Sequence, residues 1–480
     1  MIFHKYRPFS LSITLSFIIA CLTQISCKKM LSVPTPDTSI SANNVYSNDA
    51  TAISVLTGIY AQISSQRLTS GGVNSLSLLP SLSADELTLF GGSTNVTYGN
   101  YYINALNSSN LGYLDFWHTF YPYLFFANSA IEEISNSVSL SVPVKQQLLG
   151  EAKFVRAFCY YYLLSLYGDV PIVTGTDYTL NSVLPRSPKE QVLALVVSDL
   201  KEAQNLLSDT YLDATLLNPT TERVRPTKWV ADALLARTYL LLKAYDSAEV
   251  QSTAIINNAS LYSLDTLNGV FLKNSNEAIW QLQPVVTGWN SPDAQTLILP
   301  ATGPDGYAWP AYLSNTLLNS FEPGDQRKAD WIDSIAAGGI TYYFPFKYKL
   351  NSLTSPVNEY EMVFRLGEQY LIRAESRLQQ NNTSGSTSDL NIVRARAGLP
   401  NTTSSTKEDL MNSILHERQT ELFTEWGSRW LDLKRTGSVD SVMNIISPQK
   451  GGIWTSTAQL YPIPLSEIQR DPNLTQNPGY

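Results

Sequence analysis

The chain has 480 residues, with 33 Lys plus Arg against 41 Asp plus Glu and a formal net charge of −8. That balance, without any long basic run, excludes a nucleic-acid-binding surface. Three histidines leave no His cluster for a metal site. Aromatic residues at 11%, including 27 Tyr and 9 Trp, against only 15% charged exceed what a soluble core needs and point to a ligand or partner surface.

Lys5 and Arg7 precede an apolar run from Leu11 to Leu22, shorter than the roughly 20 residues that span a bilayer. Residues 1–26 therefore read as a signal peptide. Cys27 follows the small residue Ser26 and is read as the lipidated first residue of the mature protein, with Cys21, after Ile18-Ile19-Ala20, as the competing site. Residues 27–49 form the anchor and tether. Cys159, on an apolar helix, reads as a buried thiol.

Helical periodicity then dominates. Ala50–Ser64 places Ile53, Leu56, Ile59, Tyr60 and Ile63 on one face. Trp117–Ile134 follows, with Pro122 expected to start or kink it. Lys145–Tyr167 ends at Gly168, with Pro171 beyond it, and Ser187-Pro188 is expected to open a helix through Leu207. From Thr227 the spacing of Trp229, Ala233, Ala236 and Tyr239, then Ala248, Thr253 and Ile256, is that of a tetratricopeptide-like helix pair. A second pair is predicted over Met362–Leu378 and Ser388–Ala397 across a turn at 381–388, and a last helix over Lys407–Trp426. The predicted fold class is all-α, a tetratricopeptide-like helical-repeat scaffold with loop insertions and a small mixed α/β insertion; an irregular all-α domain is the alternative. Residues 50–264 hold the N-terminal helical pairs with an insertion at 88–112, residues 265–361 an irregular insertion with short strands, including 342–348, and residues 362–480 the C-terminal helices.

Several segments, in order, resemble the SusD/RagB family: Ser26-Cys27-Lys28-Lys29; Gly150 to Phe158 running on to Tyr167-Gly168-Asp169-Val170-Pro171; Asp325 with Arg327; Arg394 to Gly398; Glu417-Arg418 with Glu421; Arg429 to Arg435; and Tyr461 to Pro464 with Gln476 to Tyr480. The resemblance implies about four tetratricopeptide-like pairs. It also implies an outer-membrane lipoprotein facing the exterior, whose partner is a SusC-like TonB-dependent transporter and whose ligand is a glycan or a peptide.

The residue chemistry agrees with binding rather than catalysis. His118 and His416 offer few routes to a triad, and the carboxylate pairs Asp85-Glu86 and Glu359-Glu361 are sequence neighbours, a poor arrangement for flanking one glycosidic bond. No catalytic residue, metal ligand or cofactor is assigned. The charged residues Glu151, Arg156, Glu417, Arg418, Glu421, Arg429, Asp432 and Arg435 sit among core-like neighbours and read as ion pairs between packed helices. Sugars need flat rings beside amides. The ligand-binding candidates are therefore Asn95, Tyr98 and Tyr101 in the first insertion and Trp289, Tyr307 and Trp309 in the second. A peptide binder and a tetratricopeptide-like assembly scaffold are the alternative functions.

Overall fold

The computed structural model describes residues 45–67, 75–111, 114–353 and 356–480. The signal segment, both candidate anchor cysteines and the tether as far as residue 44 lie outside the described residues. Helix α1 (Asp49–Gln62) starts where Asn48 Oδ1 accepts the Thr51 N–H at 3.0 Å. Helix α2 (Trp117–Asn136) carries Pro122 inside it. Helix α3 (Val142–Tyr167) ends at Gly168, whose φ of +77° favours glycine and where a Cβ would come within 3.2 Å of the Leu460 side chain. Helix α4 (Lys189–Leu206) begins later than the Ser187-Pro188 pair predicts: Pro188 takes the cap position, and the Ser187 N–H goes to the Val170 carbonyl at 3.0 Å.

The remaining long helices are α5 (Lys228–Leu241), α6 (Tyr245–Ile256), α7 (Leu366–Gln379), α8 (Thr383–Arg396), α9 (Lys407–Glu421), α10 (Ser428–Thr436) and α11 (Val439–Gln449). From α2 to α8 each packs on the next, and α9 joins α7. This is the nearest-neighbour stacking of a helical repeat. Helices α6 and α7 are neighbours although residues 257–365 separate them in the chain. Residues Tyr46–Tyr480 form one compact unit.

Among the described residues three small antiparallel pairs complete the fold: β1 (Leu87–Leu89) with β3 (Ala311–Leu313), β2 (Ala278–Leu282) with β6 (Glu361–Arg365), and β4 (Ile332–Ala337) with β5 (Ile340–Pro345). Strand β6 occupies the predicted start of the Met362 helix, because all five of its residues are buried and a fully buried strand shows no helical stripe. The expected turn at 381–388 is mostly helix, since Asn382 caps α8 by accepting the Gly385 N–H at 3.0 Å. Helix α9 stops at Glu421, and Trp426 lies in the following turn with a positive φ of 50°.

Helix α3 is the central post. Its Phe158 ring is surrounded by Tyr162 at 5.0 Å, Trp280 at 5.7 Å, Trp426 at 5.8 Å and Phe364 at 6.4 Å between centroids. Arg156 grips Asp199 through two bonds of 2.7 Å, and Glu151 is held by Arg225 at 2.7 Å and the Tyr60 hydroxyl at 3.0 Å. These charges tie helices together. Cys159 is buried, which pushes its thiol well up. Phe158→Ala is expected to cost about 3 to 5 kcal/mol; a thermal melt showing no fall in Tm would remove this residue from the core.

Candidate ligand-binding site

The two insertions that the sequence separates are stitched together. Strand β1 opens the first and β3 lies in the second, with Thr88 opposite Tyr312 and Leu89 opposite Ala311. The ladder extends on both sides through Phe90 N–H to the Pro310 carbonyl at 2.7 Å and Ser314 N–H to the Glu86 carbonyl at 2.9 Å. Asn95 is the principal connector. Its Nδ2 donates to the carbonyls of Gly306 at 3.0 Å and Phe90 at 3.2 Å, while Oδ1 accepts the Thr97 and Tyr98 N–H groups at 3.0 and 2.9 Å. On the other side Asp305 accepts the N–H groups of Tyr307 at 2.8 Å and Trp309 at 3.0 Å, and the Trp309 indole donates to the Gln295 carbonyl at 3.0 Å.

The six candidates therefore fall into different roles. Tyr307 is 58% exposed, Trp309 and Asn95 are half-buried, and these three form one ridge. Tyr98 is fully buried, with its hydroxyl donating to the Tyr307 carbonyl at 3.3 Å, so its ring carries the ridge from below and offers no free face. Tyr101 is also buried, edge-on to Tyr461 at 5.3 Å. It floors a cleft of about 170 Å³ whose rim includes Thr97, Asn100 and Asn110, room for a single ring rather than a chain. Trp289 stands apart on a loop beside Leu353, and among the described residues it makes no hydrogen bond to the other five.

Sequence reasoning missed Phe90 and Tyr312. Phe90 is 37% exposed beside Asn95 and meets Tyr342 edge-on at 6.4 Å; Tyr312 meets the same ring at 5.0 Å. The signal for Tyr342 was the alternation of 342–348, but the strand partner of Leu87–Leu89 has no local signature. Trp331, an aromatic of the second insertion, is fully buried and donates to the Leu267 carbonyl at 2.9 Å.

The two histidines of the described residues and the two carboxylate pairs are committed to structure. His118 bonds Asp115 at 2.9 Å and Glu467 at 3.1 Å, and these bonds raise its imidazole to about 10. His416 bonds the Ser320 carbonyl at 2.7 Å. Among the described residues no group of three or more His, Cys, Asp or Glu is placed to hold a metal. Asp85, Glu86, Glu359 and Glu361 are each at most 3% exposed, which keeps both carboxylate pairs away from any polymer. Burial pushes Glu86 up to about 7, opposed by its bond from Ser81.

Comparison with known proteins decides the lineage. A family model described as the SusD family matches residues 326–480, and another described as starch-binding associating with outer membrane matches residues 41–240. The chain belongs to the SusD/RagB family. A SusD-like protein of Formosa agariphila is 26% identical over a match covering 81% of this chain and 85% of that one. The starch-binding protein SusD of Bacteroides thetaiotaomicron is 34% identical, over 25% of this chain and 21% of its own. A SusD superfamily structure from Bacteroides vulgatus superposes with a TM-score of 0.77 at 20% identity, covering 90% of this chain and 99% of that one. A laminarin-binding SusD-like protein gives a TM-score of 0.73 at 23% identity, covering 91% and 100%.

In this SusD/RagB chain the segments of closest resemblance build the frame, not the ridge. Asn477 donates to the carbonyls of Tyr167 at 2.9 Å and Tyr461 at 2.8 Å, gathering three of those segments at one point. Tyr98 belongs with the frame and Tyr307 with the ridge. Tyr98→Ala is accordingly expected to cost about 3 kcal/mol, and Tyr307→Ala no more than about 0.5. Paired thermal melts check this, and equal losses would contradict the division.

Proposed function

We propose that the protein is a non-catalytic surface lipoprotein that captures an oligosaccharide and passes it to a SusC-like TonB-dependent outer-membrane transporter. The observation that carries the reading is the ridge: an exposed Tyr307, half-buried Trp309 and Asn95, and Phe90 beside them, held by backbone ladders from two insertions on a rigid helical frame. Such a surface offers rings to the apolar faces of sugars and amides to their hydroxyls, already fixed before the ligand arrives. The names of its relatives, a starch-binding protein and a laminarin-binding protein, support a glycan as ligand. The description of outer-membrane association supports the location. Among the described residues no helix is long and apolar enough to cross a membrane. In this reading the anchor is Cys27, acylated after removal of residues 1–26.

A ring stacked on a sugar contributes roughly 1 to 3 kcal/mol at about 25 cal/mol per Å² of buried apolar surface. Tyr307→Ala and Trp309→Ala are each expected to weaken binding of a laminarin or starch oligosaccharide about ten-fold with the melting curve nearly unchanged. Calorimetry with those glycans and with a panel of peptides tests this: peptide binding without glycan binding would replace the ligand class, and unaltered affinity in both variants would move the site off the ridge.

Cys27→Ser is expected to shift the protein from the outer-membrane fraction to the soluble fraction, since a multiply acylated cysteine supplies the attachment that a single chain does not. Retention of an acylated Cys21 in that variant would reassign the anchor.

A further inference from the structure

A cavity of about 660 Å³ opens between the end of α3, the first turn of α4, helix α10 and the C-terminal tail, and it shares no lining residue with the ridge. Its volume lies in the range of roughly 300 to 1,000 Å³ typical of small-ligand sites. Arg435, on one wall, is matched to carboxylates, holding Glu375 at 2.6 Å and Asp432 at 2.7 Å. Arg186, Lys189 and Lys434 also line the cavity, and among the described residues none of them has a carboxylate within 4.0 Å.

The hydrogen bonds of Arg186 and Lys434 go to neutral oxygens, while the Asp169 carboxylate acts on Arg186 electrostatically. Arg186 donates to the carbonyls of Asp169 at 2.7 Å and Thr475 at 3.3 Å and to Asn477 Oδ1 at 2.5 Å. Lys434 donates to the Ser165 carbonyl. The carboxylates that line the cavity, Asp169 and Glu190, are exposed, and Asp169 accepts the Lys189 backbone N–H at 2.8 Å. Burial pushes the Lys434 ammonium down to about 7, and Lys189 pushes in the same direction. The lining holds more cationic than anionic side chains, with apolar wall from Leu164, Leu431 and Leu460.

We infer that this cavity is a second binding site, for a mono- or disaccharide bearing one oxyanion, a carboxylate or a sulfate, with Lys434 and Lys189 as its charge partners. A sugar acid fits both halves of the lining: the ring's apolar face against the leucines, the anion against the ammonium groups. This site does not depend on what the ridge binds.

The sign of its pH dependence follows from Lys434. An oxyanion binds the protonated form, so affinity is full below a pH of about 7 and is lost as the pH rises above it.

The test is calorimetry on the whole folded chain with galacturonate, N-acetylglucosamine 6-sulfate, inorganic phosphate and neutral galactose, at about pH 6 and about pH 8.5. At least one of the two anionic sugars is expected to bind and galactose not to. Affinity should fall about ten-fold between the two pH values, about ten-fold or more in Lys434→Met and several-fold in Lys189→Gln, with Tyr307→Ala unaffected. Should Lys434→Met fail to fold, Lys189→Gln, at a half-buried residue of the first turn of α4, decides alone. Absence of anionic-sugar binding, binding of phosphate only, or binding unchanged by the lysine substitutions that fold would overturn the proposal.

Discussion

Arg365 is the residue on which the architecture closes. Fully buried at the end of β6, it reaches Glu425 at 2.8 Å and Glu277 at 3.0 Å and also bonds Glu421. Glu421 in turn is shared with Arg327 at 2.9 Å and with Arg396, while Arg327 holds Asp325 at 2.8 Å and Glu417 at 2.7 Å. Burial alone would raise the Glu421 carboxyl, but Arg396, Arg365 and Arg327 outweigh it and hold it well below the ordinary range. The cluster joins both ends of the second insertion to α8 and α9. Replacing the whole set by apolar residues need not weaken a fold, whereas removing one member leaves a buried charge without its partner. The observed seating of the insertion on the helices gives each of these charges an opposite partner.

That seating makes the ridge possible. Loops ordered only on ligand arrival would lose affinity to their own ordering, on the order of 0.5 to 1.5 kcal/mol for each immobilised side chain. Here the ordering is done by the frame. Asn95 binds the second insertion through Gly306, Tyr98 supports Tyr307 from beneath, and the β1–β3 ladder fixes both. The residues of closest family resemblance lie in the frame and the charged cluster, while the ridge is built from insertion residues outside those segments.

This division also explains what was legible beforehand. The long helices announce themselves by spacing, and Gly168 followed by Pro171 marks the end of α3. Charged residues among apolar ones, such as Glu417 and Glu421, read correctly as internal pairs because a lone charge cannot be buried. Strand β6 reads as helix in the sequence, because five buried residues in succession carry no period that separates the two. The start of α8 reads as turn in the sequence, because Ser and Thr after Asn382 favour caps and turns until the cap itself fixes the helix. For the site, Tyr98 and Tyr307 have the same side chain in similar loops, and only a contact between residues 209 positions apart puts one below the other. Partners so distant leave no mark on the local sequence.

The base of the second insertion has a consequence for descent. The chain enters it on β2 and returns on β6, with Gln281 opposite Met362 and Leu282 opposite Glu361, so its two ends are adjacent and the helices meet it as a closed staple. Doubling the length of such a staple costs only about 0.6 kcal/mol in closure entropy. Whatever lies between those strands can be lengthened, shortened or exchanged while α6 still packs on α7. A lineage built this way can change the tool while keeping the handle: a new binding surface has to satisfy two short ladders and the charges around Arg365, and the packing of the helical repeat does not have to be solved again.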